Sequence, residues 1–211
     1  MVRRARGDRF MSSETARVEA FSDGVFAIAI TLLVLEFKVP ARGSGVLSFQ
    51  LLRQWPYYLS FVSSFAFIGI MWINHHRMFT HIRKSNNVLL HLNLLLLLGV
   101  TFVPFPTSVI AVHLGGPDQR AAAILFNATY VLIAILFNLL WRYASSSRAG
   151  LLSKDVDTAA VARITRQYSF GPVLYMICLG LVWVNVLASL VMNLLLACYF
   201  ALSPSPNHGE R

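Results

Sequence analysis

The chain has 211 residues, of which 56% are hydrophobic and only 13% are charged. A soluble domain of this length carries about 25% charged residues, so most of this protein's surface does not face water. The formal net charge of +9 does not indicate nucleic-acid binding, because the Lys and Arg residues gather in loops rather than in a basic domain. Composition therefore indicates an integral membrane protein and excludes a soluble domain.

Long apolar segments separated by turn residues predict an all-α fold with six transmembrane helices. The segment from Val88 to Val112 contains one His, one Asn and no formal charge, and it is longer than the roughly 20 residues that span the hydrocarbon core. Pro104 and Pro106 lack a backbone donor, so they should kink or break this third helix. The predicted helices are, in chain order, residues 15–37, 51–79, 87–113, 119–143, 158–182 and 185–202.

The basic residues divide unevenly between the two sides of the predicted membrane. If the N-terminus is cytoplasmic, the inside segments hold 14 of the 18 Lys and Arg residues, and this bias predicts an N-in, C-in topology. The chain then divides into a basic cytoplasmic arm at 1–14, a six-helix membrane domain at 15–202 and a cytoplasmic tail at 203–211. The basic residues left outside are Lys38, Arg42, Arg53 and Arg120.

The first helix carries the strongest functional signal. Its uncharged part is only 12 residues long, which is too short to span hydrocarbon alone, so its charged ends should face protein or water. On a helical wheel Ile28, Leu32 and Leu35 form one stripe. Thr31 flanks the stripe, and Asp23 points roughly the opposite way. Ordinary helix packing is the alternative interpretation of the stripe.

Asp23 is an ionisable residue within a membrane helix, which is rare and costly and requires a partner at the same depth. The end of the second helix reaches that depth with Asn74 and His75, and the start of the third helix does so with His91 and Asn93. A polar network there would anchor the first helix, although histidines could instead carry protons. The residues predicted for this network are Arg17, Ser22, Asp23, Trp72, Asn74, His75 and His91.

Two signatures in the chain resemble those of a known family. The first is Arg17-x-x-x-Phe21-Ser22-Asp23, followed by Thr31, Leu32, Leu35 and Pro40, and the second is Trp72-x-Asn74-His75. Together they are similar to the motifs of the transmembrane protein 175 family of potassium channels. The resemblance covers essentially the whole chain. It implies a single six-helix unit that assembles as a homotetramer, with the first helix lining a central pore and without a Thr-Val-Gly-Tyr-Gly filter.

The resemblance also implies roles for residues of the first helix. Ile28 would form the pore constriction, with further apolar rings at Leu32 and Leu35. Thr31 would form the selectivity layer. The implied activity is a potassium-permeable cation channel with a modest preference for K⁺ over Na⁺, whose hydrophobic constriction gates by dewetting.

Glu36 lies at the outer end of this helix, where its charge would raise the local cation concentration in an outer vestibule. Pairing with Lys38 or Arg53 is the alternative role. The expected partners are K⁺ and other monovalent cations, further copies of the chain and the lipid bilayer. The expected location is a cell membrane, as in a bacterial inner membrane.

Other functions draw on other features of the sequence. A secondary transporter, with or without proton coupling, would use His75, His91 and the proline-broken third helix. An enzyme is not expected, because the chain shows no paired carboxylates, no metal-ligand spacing and no Ser-His-Asp set. For the same reason we expect no cofactor and no metal beyond transient K⁺.

Overall fold

A computed structural model describes residues 2–41, 45–153 and 156–202. The predicted tail at 203–211 lies outside this range, as do Arg42 and Lys154 of the basic loops. The described residues form helices joined by short loops. The elements are α1 (Val2–Leu32) with a 3₁₀ turn (Leu33–Glu36), α2 (Leu47–Arg53), α3 (Trp55–Phe79), α4 (Asn87–Phe102), α5 (Pro104–His113), α6 (Gln119–Ala144), α7 (Thr158–Leu181) and α8 (Val186–Leu202).

The helix bounds follow the sequence pattern closely in the second half of the chain and differ in the first half. α1 begins at Val2, so the basic arm continues the first helix, in line with the absence of proline from residues 2–14. The second predicted helix is divided into α2 and α3 at Gln54. Pro56 favours this division, because a proline without an N–H fits the first turn of a helix and not its interior.

The third predicted helix breaks at Val103, as its prolines predict. Pro104 cannot donate to the carbonyl of Val100, which accepts instead from the N–H of Val103 at 3.1 Å. The hydroxyl of Thr107 donates to the Val103 carbonyl at 2.7 Å. Ser64 of α3 lies 2.7 Å from the same Thr107 hydroxyl. The Val100 carbonyl that Pro104 releases is thus bonded locally, and the Ser64–Thr107 contact ties α5 to α3.

The core surrounds α6, which packs against α4, α5, α7 and α8. Its aromatic centre consists of Phe67, Phe126 and Tyr130, with the rings of Phe67 and Tyr130 4.5 Å apart. α1 lies at the edge of this core, packed on α3 and α4. The first helix is therefore supported on one side by the bundle, and its other side is open.

A buried polar cluster joins α6 to α8. The amide of Asn193 donates to the side-chain carbonyl of Asn127, and the hydroxyl of Ser189 donates to the backbone carbonyl of Cys178 at 2.7 Å. Asn127, Ser189 and Asn193 are all fully buried. Polar side chains that bond across helices hold a bundle together where no water can replace their partners.

Two loops meet at one end of the bundle. The N–H of Arg83 donates to the carbonyl of Leu151 at 2.9 Å, and the N–H of Ser153 donates to the carbonyl of His81 at 3.1 Å. The loop after α3 and the loop after α6 therefore lie on the same side. Helices that cross a membrane in alternate directions require these two loops to lie on the same side.

Four helical segments of the described chain are long and apolar enough to cross a membrane: Thr15–Glu36, Trp55–Phe79, Asn87–His113 and Gln119–Ala144. Val186–Phe200 is apolar but shorter. The chain is thus an all-α membrane protein. The number of six spans and the N-in, C-in orientation remain predictions.

We predict that Gly99→Ala is less stable than Gly69→Ala by about 1–3 kcal/mol, the usual cost of overpacking a core. A methyl group at Gly99 would lie 3.0 Å from Cγ1 of buried Ile133, whereas one at Gly69 would meet no atom within 4 Å. Both changes gain the same helix propensity. Thermal unfolding of the two variants in detergent measures the difference, and equal midpoints would contradict the close approach of α4 and α6.

Candidate pore helix and its polar anchor

α1 has two faces that differ sharply in burial. Ser22, Phe26, Ala29 and Leu33 are at most 1% exposed and lie at i, i+4, i+7 and i+11. This spacing places them on one side of the helix, against α3 and α4. The buried face fixes the rotation of α1 in the bundle.

The opposite face is exposed in the single chain. Ile28 is 58% exposed, Leu32 40% and Leu35 73%. Thr31 is also exposed, and a Cβ at Gly24 would meet no atom within 4 Å. The stripe that the helical wheel places on one side, with Leu35 in the 3₁₀ turn after α1, is therefore largely exposed in the single chain.

The hydroxyl of Thr31 uses its one hydrogen-bond donor within α1. Its hydroxyl donates to the carbonyl of Ile28 at 2.8 Å, within the same helix. The hydrogen is then directed to the backbone, and the oxygen lone pairs are left for another ligand. An exposed hydroxyl oxygen in this state is suited to accept a hydrogen bond or to coordinate a cation.

The buried face of α1 is anchored by a chain of hydrogen bonds. The amide of Asn93 on α4 donates to the Ser22 hydroxyl at 2.9 Å, and Ser22 donates to the carbonyl of Val18 at 2.8 Å. The carbonyl oxygen of Asn93 lies 2.9 Å from Nε2 of His75 on α3. Because the Asn93 oxygen only accepts, Nε2 of His75 carries the proton. Three helices are thus joined through groups that are at most 2% exposed.

Two further contacts join α1 to α3 beside this chain. The indole N–H of Trp72 donates to Oδ1 of Asp23 at 2.8 Å. Nδ1 of His76 lies 2.7 Å from Oε1 of Glu19. Glu19 and Asp23 are four residues apart on α1, as are Trp72 and His76 on α3, so the two pairs form successive contacts between antiparallel helices. Sequence reasoning missed the pair of Glu19 and His76, although this shared spacing is visible in the sequence.

Three residues expected in the anchor lie elsewhere. Nδ1 of His91 bonds the carbonyl of Asn87 in its own helix. Residues 91 and 93 point to opposite sides of α4, so Asn93 occupies the place that was assigned to His91. Asn74 lines a cavity among α3, α6 and α7, and its backbone carbonyl accepts from the Tyr168 hydroxyl at 3.1 Å. Arg17 is exposed, and the described residues include no ion pair between it and Asp23.

Glu36 is half-buried and lies in the 3₁₀ turn that follows α1. It lines a small cavity with Tyr57 and Ser60 of α3 and Thr107 of α5. Its two expected cation partners, Lys38 and Arg53, form no ion pair with it in the described chain. The carboxylate thus borders the protein interior at the end of the exposed stripe.

The chemistry of this region is that of a surface and not of a reaction centre. The described residues contain no group of three His, Cys, Asp or Glu side chains that could hold a metal ion. Between Gly24 and Leu35 the exposed side of the first helix and its 3₁₀ turn offers apolar groups and the Thr31 hydroxyl oxygen. Such a face can exclude water or contact a weakly hydrated ion if other protein covers it.

The fold and the anchored helix define a multi-span α-helical membrane protein whose first helix keeps one face open. A family model described as the endosomal/lysosomal potassium channel TMEM175 matches residues 17–104. The potassium channel Cha6605_3372 of Chamaesiphon minutus is 48% identical over 194 residues, covering 90% of this chain and 95% of the relative. The chain therefore belongs to the TMEM175 family, whose members are channels and not enzymes.

Further similarities agree with this assignment. The potassium channel B446_29190 of Streptomyces collinus is 42% identical over 199 residues, covering 92% of this chain and 95% of the relative. The crystal structure of a lysosomal potassium-selective channel TMEM175 homolog from Chamaesiphon minutus matches with a TM-score of 0.82 at 47% identity. That match covers 90% of this chain and 97% of the other chain.

We predict that Asn93→Ala lowers the free energy of unfolding by about 2 kcal/mol, because it leaves the buried Ser22 hydroxyl without its donor and His75 without its acceptor. Asn87→Ala, an exposed change on the same helix, is the control. Thermal unfolding of the purified protein measures both variants. If Asn93→Ala unfolds at the same temperature as the control, the anchor does not stabilise α1.

Proposed function

We propose that this chain forms a potassium-permeable channel in a cell membrane, as a homotetramer in which α1 of each copy lines a central pore. The observation that carries this proposal is the exposed stripe of Ile28, Leu32 and Leu35, which lies on a helix held firmly by the rest of the bundle. The bacterial relatives named potassium channels support the same function. Six spans, an N-in, C-in orientation and a bacterial inner membrane complete the proposal.

The anchor supports a pore role for the open face. Hydrogen bonds through Ser22 and Asp23 set the rotation of α1, so its open face has one defined direction. Four copies around an axis would bring four such faces together, and a closed cyclic assembly would leave none of them unpaired. A Cβ at Gly24 would meet no atom within 4 Å, so the missing side chain would leave the pore wider at that level.

The constriction would form at Ile28, with apolar rings beyond it at Leu32 and Leu35. A narrow ring of four branched apolar side chains excludes water, and a cation cannot enter a dry segment without losing its hydration shell. Conduction would therefore require a movement of α1 that widens and wets this ring. In this proposal the pore radius at Ile28 determines whether the channel is open or closed.

The Thr31 layer would supply selectivity. Its hydroxyl hydrogen is directed to the Ile28 carbonyl, so its oxygen can face a passing ion. Four oxygens compensate only part of a lost hydration shell, and Na⁺ holds its water more tightly than K⁺ does. The expected preference for K⁺ over Na⁺ is therefore modest.

Glu36 has a smaller place in this proposal than an outer-vestibule role assigns to it. Its carboxylate borders the cavity between α3 and α5 beside Tyr57 and Thr107. An attraction of cations from there would act through the field at the mouth of the pore and not through direct contact.

A carrier is the alternative, and the described contacts do not favour it. The ring of His75 is bonded to Asn93, and the ring of His91 is bonded to a carbonyl of its own helix. The proline break of the third helix is filled by Ser64 and Thr107. Hydrogen bonds at Nε2 of His75, at Nδ1 of His91 and at Thr107 give these features structural roles, which favours a channel over a carrier.

We predict that Ile28→Asn raises passive K⁺ flux several-fold, because an amide in the constriction wets it. The assay uses purified protein in liposomes with a K⁺ gradient and a protonophore to discharge the membrane potential. Leu98→Asn on α4, where Leu98 is 66% exposed, is the control for a polar group at an exposed position.

Two outcomes of this assay would count against the pore. Equal K⁺ flux in Ile28→Asn and in the unmodified chain would show that Ile28 does not form the constriction. A unitary flux of the unmodified chain well below about 10⁵ ions per second would favour a carrier, since conformational cycles take microseconds to milliseconds.

We predict that Thr31→Val lowers the K⁺/Na⁺ permeability ratio towards unity while flux persists, and that Thr31→Ser retains the ratio because it keeps the oxygen. Thr101→Val is the matched control, since Thr101 is also exposed and donates to the carbonyl three residues earlier, at 2.9 Å. Reversal potentials in bi-ionic solutions measure the ratio. An unchanged ratio in Thr31→Val would refute the selectivity layer.

A further inference from the structure

An open groove of about 620 Å³ runs between α7 and α8, away from α1. Its two ends differ in chemistry. Arg163, Arg166 and Gln167 line the end near the start of α7, and apolar side chains together with Tyr199 line the remainder. The apolar part includes Phe170 and Leu174 of α7 and Leu196 of α8.

The α7 wall of the groove is a single helical stripe. Its residues lie at i, i+3, i+4, i+7 and i+11, which places them on one face. From Arg163 to Leu174 the helix rises about 16 Å at 1.5 Å per residue. This length is close to one leaflet of a hydrocarbon core that is about 30 Å thick.

The polar end is rich in donors and poor in acceptors. Nε2 of Gln167 is buried and has no hydrogen-bond partner within the described residues. Arg163 is 3.7 Å from Asp157, but both side chains are more than half exposed, and such pairs contribute little. Within the same part of the chain no carboxylate forms an ion pair with Arg166. An anionic oxygen group would satisfy all three side chains at once.

The residues that the structure describes cover the apolar end only in part. Phe170 is 54% exposed and Leu174 is half-buried, while Phe200 approaches the α7 backbone at Gly171 and forms the floor. The groove thus pairs a basic head with an apolar trough, and the two together are about as long as one leaflet. Basic pockets between membrane helices bind anionic lipid headgroups.

We propose that this groove binds an anionic phospholipid, with its phosphate at Arg163, Arg166 and Gln167 and one acyl chain along Phe170 and Leu174. The basic end lies near the start of α7, the helix that follows the loop at 151–153, so the lipid would come from the cytoplasmic leaflet in the proposed N-in, C-in orientation. Lipid binding does not depend on ion conduction, so it and the channel function can fail separately.

The test measures lipid binding to the purified full-length chain by native mass spectrometry. The protein is titrated with phosphatidylglycerol and, separately, with phosphatidylcholine of the same acyl chains. The double variant R163Q/R166Q removes the basic head, and R83Q/K84Q removes the same charge from the exposed loop after α3. Leu174→Trp fills the apolar trough and leaves both arginines in place.

The proposal expects tighter binding of phosphatidylglycerol than of phosphatidylcholine. It also expects about 30-fold weaker phosphatidylglycerol binding in R163Q/R166Q, since each arginine near an anionic membrane surface contributes about 1 kcal/mol. R83Q/K84Q should bind as the unmodified chain does. Leu174→Trp should weaken binding while the preference for the anionic headgroup remains.

Several results would overturn the proposal. An equal loss of phosphatidylglycerol affinity in R163Q/R166Q and R83Q/K84Q would mean that the lipid is attracted by the overall positive charge and has no specific site. Competition by soluble glycerol phosphate as strong as that by the lipid would identify a free-anion site. A smaller oligomeric mass of R163Q/R166Q would identify the groove as an interface between copies. Unchanged phosphatidylglycerol affinity in both R163Q/R166Q and Leu174→Trp would exclude the groove altogether.

Discussion

The hydrogen-bond chain from His75 through Asn93 to Ser22 determines how α1 sits against the bundle. Hydrocarbon offers no water to replace a lost partner, so breaking one of these hydrogen bonds would leave a buried polar group unpaired. A rotation of α1 by one residue, about 100°, would carry the Ser22 hydroxyl away from Asn93. The same rotation would bury part of the stripe around Ile28. The direction of the open face is therefore set by polar contacts on the closed one.

Two polar clusters hold different parts of the bundle. The Ser22, Asn93 and His75 chain joins α1, α4 and α3, and the cluster around Asn127 joins α6 to α8. α3 packs against α1 on one side and against α8 on another. α3 is thus the single helix that separates α8 from α1. The proposed lipid groove and the open face of α1 therefore lie on separate parts of one packed bundle.

The features predicted correctly from sequence depend on local spacing. Apolar runs give the helices, the prolines give the break at Val103, and a period of 3.6 residues places Ile28 and Leu32 on one face. The features missed depend on how helices are rotated against each other. The sequence shows both His91 and Asn93 at the right depth, and only the packing of α4 against α1 selects Asn93. The 3₁₀ turn after Leu32 has no comparable local signal.

The bond between the Thr31 hydroxyl and the Ile28 carbonyl has a mechanical consequence for a pore built from α1. It fastens the oxygen layer and the apolar ring to the same helical turn, so they would travel as one rigid piece. Any displacement that enlarges the ring would also draw the four oxygens apart. Such a pore has no means of relaxing its gate while keeping its ion ligands in place. Ion flux and K⁺ selectivity would then change in opposite directions, and a wider open state would be less selective.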